Sequence, residues 1–222
     1  MVDDLEIKLQ DLTENPSPRV PISLCLDVSG SMHGQPIQEL NAGVAQFFSE
    51  VRQHALARYS ADLCIITFGE SVQKRVDFSA VDRQVAPRLT AGGRTPMGEA
   101  VTLALNTLES RKREYQAVGV DYYQPWLVLM TDGQPTDDIT VAAQRAHGLV
   151  GDRKLTVFPV AIGPDAQLAS LARFSPKHPP LRLQGLAFTE FFAWLSKSIV
   201  RTSSTSVGDH VELPPTSSWA SL

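Results

Sequence analysis

Cysteine is nearly absent: Cys25 and Cys64 are the only two among 222 residues, with no Cys-x-x-Cys and no adjacent histidine. That excludes a disulfide scaffold and a thiolate metal site, and both residues read as buried free thiols in core strands. Positive charge is not in excess. Twenty Lys and Arg stand against 24 Asp and Glu, a formal net charge of −4, so a field that gathers nucleic acid or anionic membrane is not expected. No apolar run approaches the roughly 20 residues that span a bilayer. The first residues, Met1-Val2-Asp3-Asp4-Leu5-Glu6, lack the basic and apolar regions of a signal peptide. The expected location is cytoplasmic. The five histidines (His33, His54, His147, His178 and His210) show no ligand spacing.

What is present suits one globular domain with appendages: 43% hydrophobic and 20% charged residues. The chain divides into an arm at 1–19, a domain at 20–201 and a Ser/Pro-rich tail at 202–222. In the arm, Leu5, Ile7 and Leu9 alternate with polar neighbours as an edge strand does, and Asn15-Pro16-Ser17-Pro18 reads as a turn. The tail is expected to be flexible, against the alternative of a packed arm docked through Val211, Leu213 and Trp219.

Within the domain, Val20 to Leu26 reads as a buried strand, and apolar residues from Ile37 to Leu56 predict a helix over Pro36 to Arg58. Ala61 to Phe68 is a strand with its interior continuously apolar. Ser71 to Phe78 alternates, as an antiparallel edge strand does, and no crossover helix separates the two, so a hairpin is expected. After the Gly92-Gly93 loop, Thr95 is expected to cap a helix over Met97 to Arg113, with Pro96 in its first turn. Residues 111–125, with Tyr115, Tyr122 and Tyr123, read as a connection that packs on the domain. Trp126 to Met130 is the most hydrophobic strand. Thr136-Asp137-Asp138 is expected to cap a helix to about Val150, followed by a strand over Lys154 to Ile162. Asp165 is expected to cap a short helix to Phe174. Leu181 to Leu183 and a helix over Phe188 to Arg201 complete the order. The alternation predicts a doubly wound α/β sandwich, its sheet mostly parallel with one antiparallel edge strand and helices on both faces.

The first strand stops at Asp27-Val28-Ser29-Gly30-Ser31. An acid and two hydroxyls, two residues apart, then lie on a strand-to-helix loop at the carboxyl edge of the sheet, where open α/β sheets bind ligands. Such oxygens suit a hard cation such as Mg2+, although a plain helix-capping turn is the alternative for Asp27 and Ser29 taken alone. Arg94-Thr95 and Thr131-Asp132-Gly133 stand at the same edge.

With these residues the chain resembles the von Willebrand factor type A domain over about Arg19 to Arg201. Asp27-x-Ser29-x-Ser31 matches the DxSxS of that family's metal-ion-dependent adhesion site (MIDAS), Thr95 its second loop and Asp132 its third. The wording Thr95-Pro96-Met97-Gly98-Glu99 and Thr131-Asp132-Gly133-Gln134-Pro135-Thr136-Asp137 looks most like TerY-like proteins of tellurite-resistance and stress-response clusters. The resemblance implies one divalent cation, Mg2+ foremost with Mn2+ or Ca2+ as alternatives, held by Asp27, Ser29, Ser31, Thr95 and Asp132. It also implies a protein partner whose carboxylate completes the shell. His33 and Arg94 are placed to touch that partner, with solvated surface residues as the plainer alternative. Asp137 and Asp138 read as caps rather than ligands. A non-enzymatic binding module is expected, since no general base, nucleophile or phosphate-binding glycine loop accompanies the oxygens. The alternatives are a metal-dependent hydrolase or phosphatase and a regulatory subunit of a kinase or phosphatase assembly.

Overall fold

In the computed structural model, which describes residues 12–15 and 17–221, Val20–Asp27 forms strand β1 with every residue buried. The edge strand expected at 5–9 lies outside the described residues. Helices α1 (Gln35–Gln53) and α2 (Ala57–Ser60) lead to β2 (Ala61–Phe68) and β3 (Val72–Ala80). Next come α3 (Met97–Val118), β4 (Trp126–Thr131), α4 (Thr140–Gly151), β5 (Thr156–Ala161) and α5 (Leu168–Ala172). The chain closes with β6 (Leu181–Leu183), α6 (Phe188–Ser203) and β7 (Ala220–Ser221).

The strands lie in the order β3-β2-β1-β4-β5-β6-β7. β2, β1, β4, β5 and β6 run parallel, and β3 pairs antiparallel as the expected hairpin. The two-residue β7 adds a second antiparallel rim beside β6. β1 and β2 are buried throughout because both of their faces are covered. Ile22, Leu24 and Leu26 face a layer containing Phe47, Phe48, Phe191 and Phe192 of α1 and α6. Cys25, Cys64, Leu127 and Leu129 face Met97, Val101, Ala143 and Ala146 of α3 and α4. Both cysteines are buried and free. The result is the expected three-layer α/β sandwich. From β1 the chain winds one way to β2 and later the other way to β4, so the switch point lies between β1 and β4. A crevice opens there, beyond the carboxyl ends of both strands.

Several local expectations are corrected. The first helix ends at Gln53, not Arg58: His54 turns extended (ψ 123°) and its ring accepts the Ala57 N–H at 3.3 Å, starting α2 separately. α3 runs to Val118, ended by Gly119 at φ +72°, so Tyr115 is helical rather than in a loop. Tyr115 is fully buried, its hydroxyl on Asp62, and the Arg111 Nε–H donates to the same carboxylate oxygen at 2.8 Å. Tyr122 stacks on Tyr115 with ring centroids 5.1 Å apart, and the Tyr123 hydroxyl donates to the Thr205 carbonyl at 2.6 Å, so this connection does pack on the domain.

The far end of the tail packs on the domain, as the docked-arm alternative has it, while residues 206–210 are exposed. Trp219 is 1% exposed, set edge-on to Phe191 at 4.9 Å and against Trp194 at 5.4 Å. Trp194 Nε1–H donates to the Pro214 carbonyl at 2.8 Å, and the Gln184 amide N–H to that of Trp219 at 2.8 Å. One aromatic side chain among serines and prolines supplies enough buried area to hold the segment down.

Candidate metal centre

Asp27 is the last residue of β1 and is wholly buried. One of its carboxylate oxygens accepts the Ser29 N–H at 2.8 Å, the turn that an Asx residue makes at a strand end. The other accepts the Thr131 hydroxyl from the neighbouring end of β4 at 2.5 Å. Beyond it, Gly30–Met32 coils into a single 3-10 turn that places Ser29 and Ser31 on one side. Their hydroxyl oxygens are 3.0 Å apart, and the Ser31 hydroxyl donates to Asp132 Oδ1 at 2.8 Å across the switch point.

The Thr95 loop is stitched to these by main-chain bonds. Gly92 N–H donates to the Val28 carbonyl at 2.8 Å, Gly30 N–H to that of Gly93 at 3.0 Å, and Arg94 N–H to that of Gly69 at 3.2 Å. A Cβ on Gly93, at φ +81°, would fall 2.2 Å from the Glu70 Cα, so this close approach demands glycine. Thr95 is 6% exposed. Its N–H donates to the Thr136 hydroxyl at 3.2 Å, and its carbonyl accepts the Thr136 N–H at 2.9 Å. Its hydroxyl stands 3.6 Å from where a Cβ on Gly133 would lie, an ordinary contact that puts Thr95 beside Gly133.

Thr95 does not cap α3. Asp137 does so from the β4–α4 loop, its two carboxylate oxygens accepting the N–H groups of Gly98 at 3.0 Å and Glu99 at 2.8 Å. The Thr95 hydroxyl is thereby relieved of that task. Asp138 caps its own helix, accepting the Thr140 N–H at 2.8 Å. Asp165 does not cap α5, which starts beyond Gln167 without a side-chain cap.

Two distant segments thus bring Asp27, Ser29, Ser31 and Asp132 into one hydrogen-bonded set, and a third places Thr95 beside Gly133. His33 and Arg94 are exposed on the rim, and neither side chain bonds to the set. Sequence reasoning missed Thr131, which orients Asp27. A hydroxyl at a strand terminus next to Asp132 is a weak signal until β4 is known to lie against β1.

Burial pushes the Asp27 carboxyl up to about 6, although the Thr131 and Ser29 hydrogen bonds pull it down. Asp132 is also raised, by burial first and with repulsion from Asp165 contributing. Two carboxylates that ionise reluctantly, among neutral hydroxyls, form an oxygen-only donor set short of positive charge. That chemistry fits a hard divalent cation and offers nothing soft. Among the described residues no group of three or more His, Cys, Asp and Glu side chains is placed to hold a metal, so any cation here relies on the hydroxyls as well.

Residues 22–188 match the von Willebrand factor type A domain family. No curated protein matches the chain by sequence. Among solved structures it is similar to proximal thread matrix protein 1 from the mussel byssus, determined with a zinc-occupied MIDAS motif (TM-score 0.56, 17% identity, covering 83% of this chain and 48% of that one). It is similar to a von Willebrand factor type A protein from Catenulispora acidiphila (0.59, 18%, 83% and 43%). It is also similar to the manganese-loaded TRAP protein of Plasmodium vivax (0.54, 21%, 78% and 73%). The chain spans about half, or less, of the length of the first two of these. At such identities the likeness is one of fold. By its match over most of its length and by this architecture, the chain belongs to the von Willebrand factor type A domain family.

Proposed function

We propose that the chain is a non-enzymatic, divalent-cation-dependent protein-binding module in which Asp27, Ser29, Ser31, Thr95 and Asp132 hold one cation, Mg2+ foremost. The observation that carries this is the Ser31 hydroxyl bridging from Ser29 to Asp132, 3.0 and 2.8 Å away, across the switch point. The hydroxyls of Ser29, Ser31 and Thr95 supply neutral oxygens, and Asp27 and Asp132 supply the charge. When bound, the cation supplies an electrophilic point for an oxygen ligand from outside. Two carboxylates balance a divalent ion without enclosing it. Ser31 is exposed while Asp27 is buried, so the open side faces solvent. A partner's Asp or Glu is the fitting ligand, since a charge-assisted contact at a partly desolvated point is stronger than in bulk water.

The non-enzymatic reading rests on chain chemistry: among the described residues no His, Cys or Lys side chain hydrogen-bonds to any of the five. No helix among them is long and apolar enough to cross a membrane, and a cytoplasmic module is proposed. The finer assignment, a partner in a tellurite-resistance or stress-response complex that includes a kinase or phosphatase, is supported by the TerY-like wording around Thr95 and Asp132. Zinc in the mussel protein and manganese in TRAP are consistent with a divalent ion at a similar fold.

Calorimetric titration with Mn2+ and Mg2+, paired with affinity capture from native lysate with and without chelator, tests the proposal. Wild type is expected to bind one cation and to release its partner in chelator. Asp27→Ala and the exposed Ser31→Ala are expected to lose both activities while staying folded. Cation-independent capture, or full cation binding by folded Asp27→Ala, overturns the proposal. So does Mg2+-dependent turnover of a phosphate ester.

A further inference from the structure

We infer that the half-enclosed cavity between the tail and the β5–β6 side of the sheet binds a small uncharged aromatic molecule, and that this occupant clamps the tail. The cavity shares no residue with the five candidate cation ligands, so the inference stands apart from the cation reading. Its origin is local. Pro159, inside β5, has no N–H to offer a neighbouring strand, and β6 joins β5 only from Val160 onward. Beside Phe158 and Pro159 the cover comes from the tail and from His178 and Pro179 instead. That cover is incomplete, and a space of about 170 Å3 remains.

The walls define the occupant. Phe158 stands edge-on to Trp194 with ring centroids 5.5 Å apart, and the His178 ring lies 5.5 Å from Phe158 on its other side of contact. The tail contributes Leu213, Pro214 and Trp219, the last 5.4 Å from Trp194. No Asp, Glu, Lys or Arg lines the space. Burial, and after it the charge of Lys177, hold the His178 imidazole below its usual range, so it is uncharged at neutral pH. The Trp194 N–H is already committed to the Pro214 carbonyl at 2.8 Å. A charged group brought here would lose water without gaining a partner. An aromatic ring gains apolar burial and edge-to-face contacts. The size suits a single ring, since an apolar cavity of about 150 Å3 takes benzene.

Because the tail supplies one wall, ligand binding and tail docking are linked. A tail that swings out on the exposed segment 206–210 carries Leu213 and Trp219 away and dismantles the site. A ligand that needs both walls therefore favours the docked tail.

Calorimetric titration of the full chain with toluene, joined to amide exchange with and without it, tests the inference. Wild type is expected to bind toluene saturably at one site. The Gln184 and Ala220 N–H groups bond to the carbonyls of Trp219 and Thr216 at 2.8 and 2.9 Å and report on the docked tail. At about nine times the toluene Kd, their exchange is expected to slow about tenfold. Benzoate and tetramethylammonium are expected to leave it unchanged. Leu213→Trp, which fills the space from the tail side, is expected to weaken toluene binding about tenfold or more. Absence of saturable toluene binding by wild type overturns the inference. So does binding that leaves both amides exchanging as before, or that folded Leu213→Trp retains in full, because the ligand then sits elsewhere. Equal or tighter binding of either charged probe overturns the class of ligand. Should Leu213→Trp fail to fold, the exchange pattern of wild type decides without it.

Discussion

Thr131 donates its hydroxyl hydrogen to Asp27 across the seam between β4 and β1, with the oxygens 2.5 Å apart. Both residues are fully buried. Replacing Thr131 with isosteric valine keeps the packing and removes the donor, leaving one oxygen of a buried carboxylate unpaired. The expected loss is about 1.5–3 kcal/mol of stability, with weaker Mn2+ binding because Asp27 is no longer oriented. Urea unfolding and calorimetric titration of Thr131→Val check both.

The pH dependence of the cation-free protein has a definite sign. The folded Asp27 carboxyl, at about 6, lies above its ordinary 3.8. Its stabilising contribution is therefore complete below about 3.8 and is lost as pH rises through about 6, a change on the order of 3 kcal/mol. Saturating Mg2+ is expected to reverse the trend, since the ionised carboxylate is the form that binds a cation. Scanning calorimetry over about pH 4.5 to 8, with and without Mg2+ and with Asp27→Asn as reference, reads the difference.

Asp137→Ala is expected to reduce stability by about 1 kcal/mol, the usual worth of a helix cap. Its readout is local. Amide exchange at Gly98 and Glu99 should quicken, because those two N–H groups lose their acceptors. Cation affinity should fall as well, since the same loop carries Asp132 and clasps Thr95 through Thr136.

At the opposite end of the sheet, Arg111→Met leaves Asp62 buried and uncompensated beside Tyr115. A loss of roughly 3–5 kcal/mol is expected in urea unfolding. Mn2+ affinity at temperatures where the variant is folded should match wild type, because Asp62 is the second residue of β2 and the candidate site lies past the far ends of the strands.

Trp219→Ala empties the place between Phe191 and Trp194. A cost of about 3–5 kcal/mol is expected, with release of β7 from β6 and a red shift in the emission of Trp194. Unchanged emission and stability would show the tail to be loosely held.

The architecture was legible because its signals are local. Continuous apolar runs such as Leu63 to Ile66 mark strands covered on both faces, and the heptad-like spacing through Leu40, Val44, Phe47 and Val51 marks α1. The polar residues at Asp27, Ser29, Thr95 and Asp132 were legible for the same reason, each sitting where a local pattern ends. Side chains that act across distance were not. Asp137 serves a helix 38 and 39 residues upstream, so its own neighbours suggest only a cap for α4. Trp219 sits among serines and prolines, and its hydrophobic partners lie on α6. Thr131 gains meaning only once β1 and β4 are neighbours.

The candidate ligands are framed by backbone: Gly92 to Val28, Gly30 to Gly93 and Arg94 to Gly69. His33, Glu70 and Arg94 stand around that frame with exposed side chains that do not hold it together. Rim and frame are thus written in different parts of the polypeptide. Those outer positions can change their chemistry while the inner scaffold goes on presenting the same oxygens.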